Sequence, residues 1–323
     1  MNNYILQKII QKFDIGLSAN SQSVSILADI KKPPWGGANQ FLLALSKQLS
    51  ANKIKVLNNY VGPKTKNYIL HARGFNKQLL MSKNFSRKDK TIIHRIDGPI
   101  HIVRGLDSHK IKDDECFEIN NKYATTTVLQ SKWSADQIKA CGYDPINPLI
   151  IPNAVDPLIF NTDRRINFDP ERKIKLISTS WSDNPKKGGP FYKWIDENLN
   201  PDLYEYTHVG NLSEQIEHFE HIPPTGSTKL ASILKNHDIY ITASKDDPSS
   251  NALLEALACG LPALYLNSGG NPEIVKNAGL PFESKDEFIG NLETLKNKYT
   301  YNQNQINIPS IEFITNQWLN LLS

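Results

Sequence analysis

The residues best suited to chemistry are two carboxylates, Asp247 and Glu255, separated by seven residues. Three small polar residues lie between them: Ser249, Ser250 and Asn251. Because Ser and Asn are favoured N-cap types, this segment predicts the start of a short helix whose first backbone N–H groups are free. Those N–H groups and the helix dipole suit a phosphate, and a carboxylate beside a phosphate suits ribose or sugar hydroxyls.

Both acids also have a purely structural interpretation, in which they cap the helix or carry a solvated charge. For Glu255 this alternative is the weaker one. Four apolar residues flank it: Leu253, Leu254, Ala256 and Leu257. A carboxylate in so apolar a segment costs free energy unless it has a partner.

A lysine pair forms the second candidate, because Lys186 and Lys187 are followed by Gly188. The segment is not a P-loop, since no Gly-Lys-Ser/Thr follows a strand at the required spacing. From these residues alone, a solvated lysine pair is the preferred interpretation.

Alternating strands and helices must position these residues. The predicted strands are 24–30, 54–57, 68–71, 91–94, 126–129, 149–151, 174–178, 205–209, 239–243 and 263–266. The predicted helices include 38–50, 134–140, 191–198, 229–235, 252–259 and 311–322. This alternation is typical of parallel sheets covered by helices. It predicts an α/β protein made of two Rossmann-like, doubly wound parallel-sheet domains that face a central cleft.

A proline-rich polar stretch, 153–172, predicts the connection between the domains. We therefore expect a first domain at 1–155 and a second domain at 156–323, with the closing helix packing back on the first domain. Open α/β sheets bind ligands beyond the carboxyl ends of their strands. The cleft is thus the expected site.

Composition excludes several classes of protein. The 323 residues are 39% hydrophobic and 22% charged, as in ordinary globular proteins. No apolar run reaches the length of a membrane span, and Lys8 and Lys12 interrupt the apolar start, so a secretory signal is not expected. The three cysteines form no metal spacing and cannot all pair, which favours a reducing cytoplasm.

At this point the sequence resembles retaining glycosyltransferases of family 4, which have the GT-B fold. The resemblance rests on Asp247 and Glu255, then on ALACGLP (256–262) and SGGNPE (268–273). It implies that Glu255 binds the nucleotide ribose and that Asp247, where the family usually has Glu, contacts the donor sugar. WGGANQFLLAL (35–45) resembles the family's glycine-rich loop and first helix, where the backbone approaches the donor diphosphate.

The lysine loop also resembles the family's diphosphate loop, with Lys187 as the neutralising cation. Where the family often has Arg, this chain has Ser182, so Lys186 or Arg95 would supply the missing charge. The implied donor contacts are Gly36, Gly37, Arg95, Ser182, Lys186, Lys187, Gly188, Ser249, Ser250, Asn251, Leu254 and Glu255. The implied catalytic set is His94, Asp97, Lys187, Asp247 and Glu255.

HRIDGPI (94–100) resembles a motif at a strand end that faces the cleft in one branch of these enzymes. His94 could hydrogen-bond a donor-sugar hydroxyl, and Asp97 could orient the acceptor. An Arg95–Asp97 ion pair that only shapes the loop is an equal alternative.

The resemblance implies a retaining hexosyltransferase that uses a nucleoside diphosphate sugar as substrate, with no cofactor and no metal. It implies that 1–155 is the acceptor domain and 156–323 the donor domain. The acceptor would be a glycan or lipid-linked molecule of the cell-surface polysaccharide or lipopolysaccharide type. Two alternatives stay open: a non-catalytic nucleotide-binding protein and a nucleotide-sugar epimerase on the same fold. Glu217, His218, Glu220 and His221 have a zinc-like spacing, but a polar helix face is the expected explanation.

Charge divides unevenly along the chain, although the formal net charge is only +4 and does not indicate a nucleic-acid partner. Residues 1–155 hold 22 Lys and Arg against 11 Asp and Glu, whereas residues 156–323 hold 15 against 22. Within 64–90, basic residues alternate with apolar ones, which suits an anionic membrane surface or an anionic acceptor. A solvated basic face is the alternative. We therefore expect a cytoplasmic protein that could contact the inner face of a membrane.

Overall fold

Two parallel sheets of six strands each, flanked by helices, make up the computed structural model, which describes residues 22–31, 36–82 and 85–322. This arrangement confirms the predicted fold class. Trp35, in the predicted glycine-rich loop, lies outside the described residues, as do residues 1–21.

The first sheet has the strand order β2-β1-β3-β4-β5-β6. Its strands are β1 (Val24–Leu27), β2 (Val56–Asn58), β3 (Asn67–His71), β4 (Thr91–Ile96), β5 (Thr126–Leu129) and β6 (Pro148–Ile150). The helices of this part are α1 (Gly37–Ala51), α2 (Ile100–Arg104), α3 (Lys110–Tyr123) and α4 (Lys132–Ala140). Short 3-10 turns occur at Lys77–Met81 and Asp107–His109.

The second sheet has the order β12-β11-β10-β7-β8-β9. Its strands are β7 (Ile174–Ser180), β8 (Tyr204–Gly210), β9 (Glu220–Ile222), β10 (Ile239–Thr242), β11 (Ala263–Leu266) and β12 (Gly279–Phe282). The helices are α5 (Gly189–Asn198), α6 (Ser227–Lys235), α7 (Asn251–Ala258), α8 (Asn271–Val275), α9 (Lys285–Asn297), α10 (Tyr299–Asn304) and α11 (Ile311–Leu321), and a 3-10 turn covers Pro185–Lys187.

Central strands are buried along their whole length, as β1 and β10 show. They consist mostly of Val, Ile, Leu and Tyr, as expected where helices cover both faces of a parallel sheet. The sheets bring their carboxyl ends to the loops that carry the candidate residues, and this is how the fold positions the site.

Helix α11, although last in the chain, packs against α1 of the first domain. Ile311, Ile314 and Trp318 belong to one buried cluster with Phe41 and Leu45. The rings of Phe41 and Trp318 have centroids 6.3 Å apart. The chain therefore passes between the domains a second time before α11.

Two stretches of the chain, 217–221 and 64–90, differ in the structure from what the sequence predicts. Residues 217–221 do not form a polar helix face, because β9 begins at Glu220 and pairs with β8. In the basic stretch 64–90, Phe75, Leu80 and Phe85 are buried in the core. These three residues thus hold the domain together and do not alternate with lysines at the surface, whereas Met81 of the same stretch is exposed.

Candidate functional site

A cavity of about 560 Å³ opens between the two sheets, where the loops after their strands converge. Its walls come from the loop after β1, the start of α1, the loops after β3 and β4, and the loops after β7 and β10. A smaller cavity of about 100 Å³ adjoins it and shares Gly36, Gly37 and Asn251 with it. The site is therefore built by both domains.

Glu255 lines the smaller cavity from the first turns of α7. Its side chain is buried, and it has no hydrogen-bond or ion-pair partner among the described residues. Burial raises the pKa of its carboxyl group from 4.5 to about 8. A buried carboxyl that faces a cavity without a protein partner is available to bind the hydroxyl groups of a ligand.

The start of α7 meets the start of α1 across the cleft. Ser250 caps α7, and its hydroxyl accepts a hydrogen bond from the N–H of Leu253. The Asn251 side-chain oxygen accepts a bond of 3.1 Å from the Asn153 side chain. A Cβ at Gly37 would lie 2.4 Å from the Asn251 side-chain nitrogen, so only glycine allows the two helix ends to approach this closely.

Lys187 and Asp247 form an ion pair of 2.6 Å on the wall of the larger cavity. Asp247 also lies 3.3 Å from the Ser244 hydroxyl, which donates to it. Gly188 adopts a left-handed conformation (φ 97°), and a Cβ there would lie 2.8 Å from that of Ala243. Glycine is thus required to bring the lysine loop against the end of β10.

His94 does not reach the cleft, contrary to the prediction. Its ring is fully buried within the first sheet, and its Nε2 is hydrogen-bonded to the Ala72 carbonyl at 2.6 Å. Burial lowers its pKa to about 4. The histidine that lines the cavity is His71, at the end of β3, which the sequence interpretation missed.

His71 belongs to a buried network around Arg95. The guanidinium, only 1% exposed, donates to Asp97 at 2.6 Å, to His71 Nδ1 at 3.1 Å and to Asn153 at 3.0 Å. Burial lowers the pKa of His71 to about 4, so the neutral ring accepts from Arg95 at Nδ1 and holds its proton on Nε2.

Asp97 lies on the cavity wall and also accepts a bond from Gln130. Burial is the largest single influence and opposes its ionisation, but the Arg95 charge and the hydrogen bonds from Arg95 and Gln130 act together to lower its pKa. The ion pair that was the alternative explanation for Arg95 is present. Arg95 lies beneath the cavity wall and does not line it, so it does not supply a cation to the cavity surface.

Lys186 is also absent from the cavity wall, because its ammonium binds Asp246 at 2.7 Å and the Ile102 carbonyl of the other domain. Ser182 does line the cavity, and its hydroxyl accepts a bond of 3.1 Å from Arg104. Arg104, at the end of α2, lines the same cavity and was not among the predicted residues.

Ser249 and Leu254 differ in position. Ser249 lines the larger cavity and also a separate cavity of about 520 Å³, whereas Leu254 lines only the separate one. The predicted donor contact of Leu254 is therefore not supported by its position.

The described residues offer neither a metal-binding cluster nor a membrane-spanning helix. They contain no group of three or more His, Cys, Asp or Glu that could hold a metal ion. None of the helices in 22–31, 36–82 and 85–322 is long and apolar enough to span a bilayer.

Part of the second domain matches a known protein family. Residues 205–307, which include β8 to α10 and the whole of α7, match the family model of glycosyl transferases group 1. None of the curated protein sequences gives a significant match.

Solved structures share the fold at low sequence identity. The chain superposes on TarM with a TM-score of 0.63 and 15% identity, covering 88% of this chain but only 58% of TarM. It covers 98% of sucrose-phosphate synthase from Thermosynechococcus elongatus (TM-score 0.68, 12% identity, 93% of this chain). It likewise covers 98% of Anabaena HepE, solved with UDP-glucose (TM-score 0.64, 13% identity, 93% of this chain). These similarities establish the GT-B fold.

Proposed function

We propose that this protein is a retaining glycosyltransferase that moves a sugar from a nucleoside diphosphate donor to an acceptor bound by the first domain. The observation that carries the proposal is the unpartnered, buried carboxyl of Glu255 in a cavity that adjoins the Lys187–Asp247 pair. The match of residues 205–307 to group 1 glycosyl transferases and the solved HepE complex with UDP-glucose support it.

Each cavity takes one part of the donor in this proposal. The smaller cavity, with Glu255 and apolar walls from Val209 and Leu230, receives the nucleoside. The diphosphate lies at the start of α7, near Lys187, and the sugar extends toward Asp97 and Asp247. Hydroxyl groups of ribose donate to the Glu255 carboxylate, which would favour its ionised form.

The proposed reaction breaks the bond between the anomeric carbon and the diphosphate, forms a bond between that carbon and an acceptor hydroxyl oxygen, and passes the hydroxyl proton to the leaving diphosphate. Negative charge then grows on the leaving group, and positive charge grows at the anomeric carbon. The Lys187 ammonium and the backbone N–H groups at the start of α7 stabilise the first charge. They are held in place by Asp247, Gly188 and the Ser250 cap, so little reorganisation is needed when the charge develops.

Transfer and donor hydrolysis test the proposal directly. The chain is incubated with a panel of UDP-, GDP- and ADP-sugars, and released nucleotide is measured while NMR records the anomeric configuration of the product. We expect turnover with retention, reduced at least tenfold by Glu255→Ala and by Lys187→Ala. Glu312→Ala, at an exposed acid of α11, is the matched control. Absence of binding and turnover across the panel, with Glu255→Ala making no difference, would refute the proposal.

We further propose an anionic or lipid-linked acceptor and contact with the inner face of a membrane. The support is the excess of basic residues in 1–155 and the exposed lysines and arginine at 64, 66, 77, 87 and 88. Since Phe75, Leu80 and Phe85 are buried and Met81 is the exposed large apolar side chain among the described residues of this stretch, the contact would be mainly electrostatic.

Vesicle sedimentation tests this contact. The chain should bind vesicles that contain phosphatidylserine, release them at high salt, and ignore neutral phosphatidylcholine vesicles. Equal binding to both vesicle types would contradict it.

A further inference from the structure

Arg104, on the wall of the larger cavity, is a cation without an acidic partner among the described residues. The described charged residues that line this cavity are Lys31, Arg104, Lys187, Asp29, Asp97 and Asp247. Lys187 is neutralised by Asp247, and Asp97 is paired with Arg95 below the surface. Arg104 forms no ion pair with any described residue, and its one side-chain bond goes to the neutral Ser182 hydroxyl.

The backbone at Arg104 is fixed, because both ends of α2 are anchored. The buried carboxylate of Asp113 accepts hydrogen bonds from the N–H groups of Ile100 at 2.7 Å and His101 at 3.0 Å, and so caps α2. At the other end of α2, Gly105 takes a left-handed conformation (φ 66°) that ends the helix. Arg104 therefore lies on a short helix that is fixed at both ends.

The second domain approaches Arg104 closely. The Asn184 side chain donates to the Arg104 carbonyl at 3.2 Å, and a Cβ at Gly105 would lie 2.8 Å from Lys186 Cε. These contacts belong to the turn that carries Lys187. Arg104 and Lys187 thus reach the same cavity from opposite domains.

We propose that Arg104 is a diphosphate ligand that the first domain contributes, and that it exchanges its Ser182 bond for phosphate oxygens when the donor binds. This inference rests on the proposed function. A guanidinium keeps its charge and presents several N–H donors in one plane, which suits bidentate binding of phosphate. Because Lys187 comes from the other domain, a diphosphate held between the two cations would also stabilise the closed arrangement of the domains.

Calorimetric titration of the full chain with inorganic pyrophosphate tests the proposal without a chosen nucleotide. The same titrations use UDP, ADP, GDP and CDP with their monophosphates. Arg104→Ala and Arg104→Gln are the variants, and Lys139→Ala is the control, since it removes an exposed charge from the same domain. Arg104→Gln keeps most of the side-chain length, and the unfolding temperature of each variant is measured.

We expect both Arg104 variants to bind pyrophosphate and the preferred diphosphate about 10- to 100-fold more weakly, as the loss of a charged hydrogen bond predicts. Binding of the matching monophosphate should change less than threefold, and Lys139→Ala should resemble the wild type. Equal losses for monophosphate and diphosphate would show a structural role and overturn the inference. Unchanged binding of pyrophosphate and diphosphates by the variants would also overturn it.

The results separate this inference from the proposed function. Nucleoside diphosphates that bind the wild type and the Arg104 variants equally would refute the role of Arg104 and leave the donor site intact. Arg104-dependent pyrophosphate binding with no nucleotide binding would refute the donor site and leave the role of Arg104. Failure of the wild type to bind any of these ligands would overturn both.

Discussion

The Glu255 carboxyl lies among the apolar residues of α7 with a cavity in front of it. Its ordinary pKa of 4.5 applies to the unfolded chain, and burial raises the value to about 8 in the folded chain. Between these values the folded state holds a proton that the unfolded state has released. The free energy of unfolding therefore falls as pH rises, by at most about 1.4 kcal/mol per pH unit.

Glu255→Gln should remove this dependence. We expect the variant to gain stability relative to the wild type as pH rises from about 5 to 8, and the difference to level off above pH 8. Urea unfolding at each pH measures it, and Glu214→Gln, at an exposed position, should follow the wild type. A difference that stays constant with pH would mean that the buried carboxyl does not hold a proton.

Substitution of Glu255 should change the stability of the fold and the affinity for nucleotide in opposite directions. Glu255→Gln is expected to lose nucleotide affinity while it gains stability at pH 8, because it removes the unpaired acid and with it the negative charge that strengthens hydrogen bonds from the ribose hydroxyls. This pattern is typical of sites where a group is retained at a cost in folding free energy.

At the scale of elements, the contact between α1 and α7 depends on the small size of Gly37. Gly37→Ala should weaken binding of the preferred nucleoside diphosphate by tenfold or more, because the added methyl group meets Asn251 and forces the helix ends apart. Gly290→Ala is the matched control, since a Cβ there meets nothing within 4 Å.

Calorimetry and thermal unfolding of both glycine variants measure these effects. The control should gain about 0.5–1 kcal/mol of stability, as alanine does over glycine inside a helix. Unchanged nucleotide affinity in Gly37→Ala would show that the two helices can separate without affecting the site.

Several elements could be predicted from the sequence because their apolar runs are short and bounded by turn residues. The strands at 126–129 and 263–266 have the predicted bounds. The edge strands β9 and β12 were missed, since Glu and His dominate one while Gly and Pro occur in the other. Tertiary pairing, which no local pattern records, makes these segments into strands.

The register of β4 explains why the histidine in the cavity was predicted wrongly. His94 is paired with Leu70, and Arg95 is paired with His71, which lies one residue nearer the end of β3. A motif shows that histidine, arginine and aspartate occur together, but only the register decides which of them faces the cleft. The network of His71, Arg95 and Asp97 could not be derived without it.

At the scale of the whole molecule, the two domains are joined by hydrogen bonds as well as by the chain. The Glu273 carboxylate accepts from the N–H groups of Lys132 at 2.8 Å and Trp133 at 2.7 Å, and so caps α4 of the other domain. Lys47 and Asp156 form an ion pair of 2.8 Å, and Asn153 binds Asn251. These contacts favour a closed cleft.

Glu273→Ala should therefore open the cleft. Loss of a helix cap costs about 0.5–2 kcal/mol, which shifts the balance between closed and open forms by about 2- to 30-fold. Small-angle scattering should record a larger radius of gyration, and the affinity for the preferred nucleoside diphosphate should fall. Glu214→Ala serves as the control. An unchanged radius and affinity would show that the Glu273 contact has no influence on closure.

The position of helix α11 determines which fragments of the chain can fold alone. The apolar face of α1 is covered by Ile314 and Trp318, which are far away in the sequence. The first domain is thus a discontinuous folding unit, and a fragment that stops at residue 155 leaves that face bare. A fragment of 1–155 should aggregate when produced alone. It should become monodisperse when residues 305–322 are fused to it through a flexible linker. The fragment 156–310 should be monodisperse without any added segment.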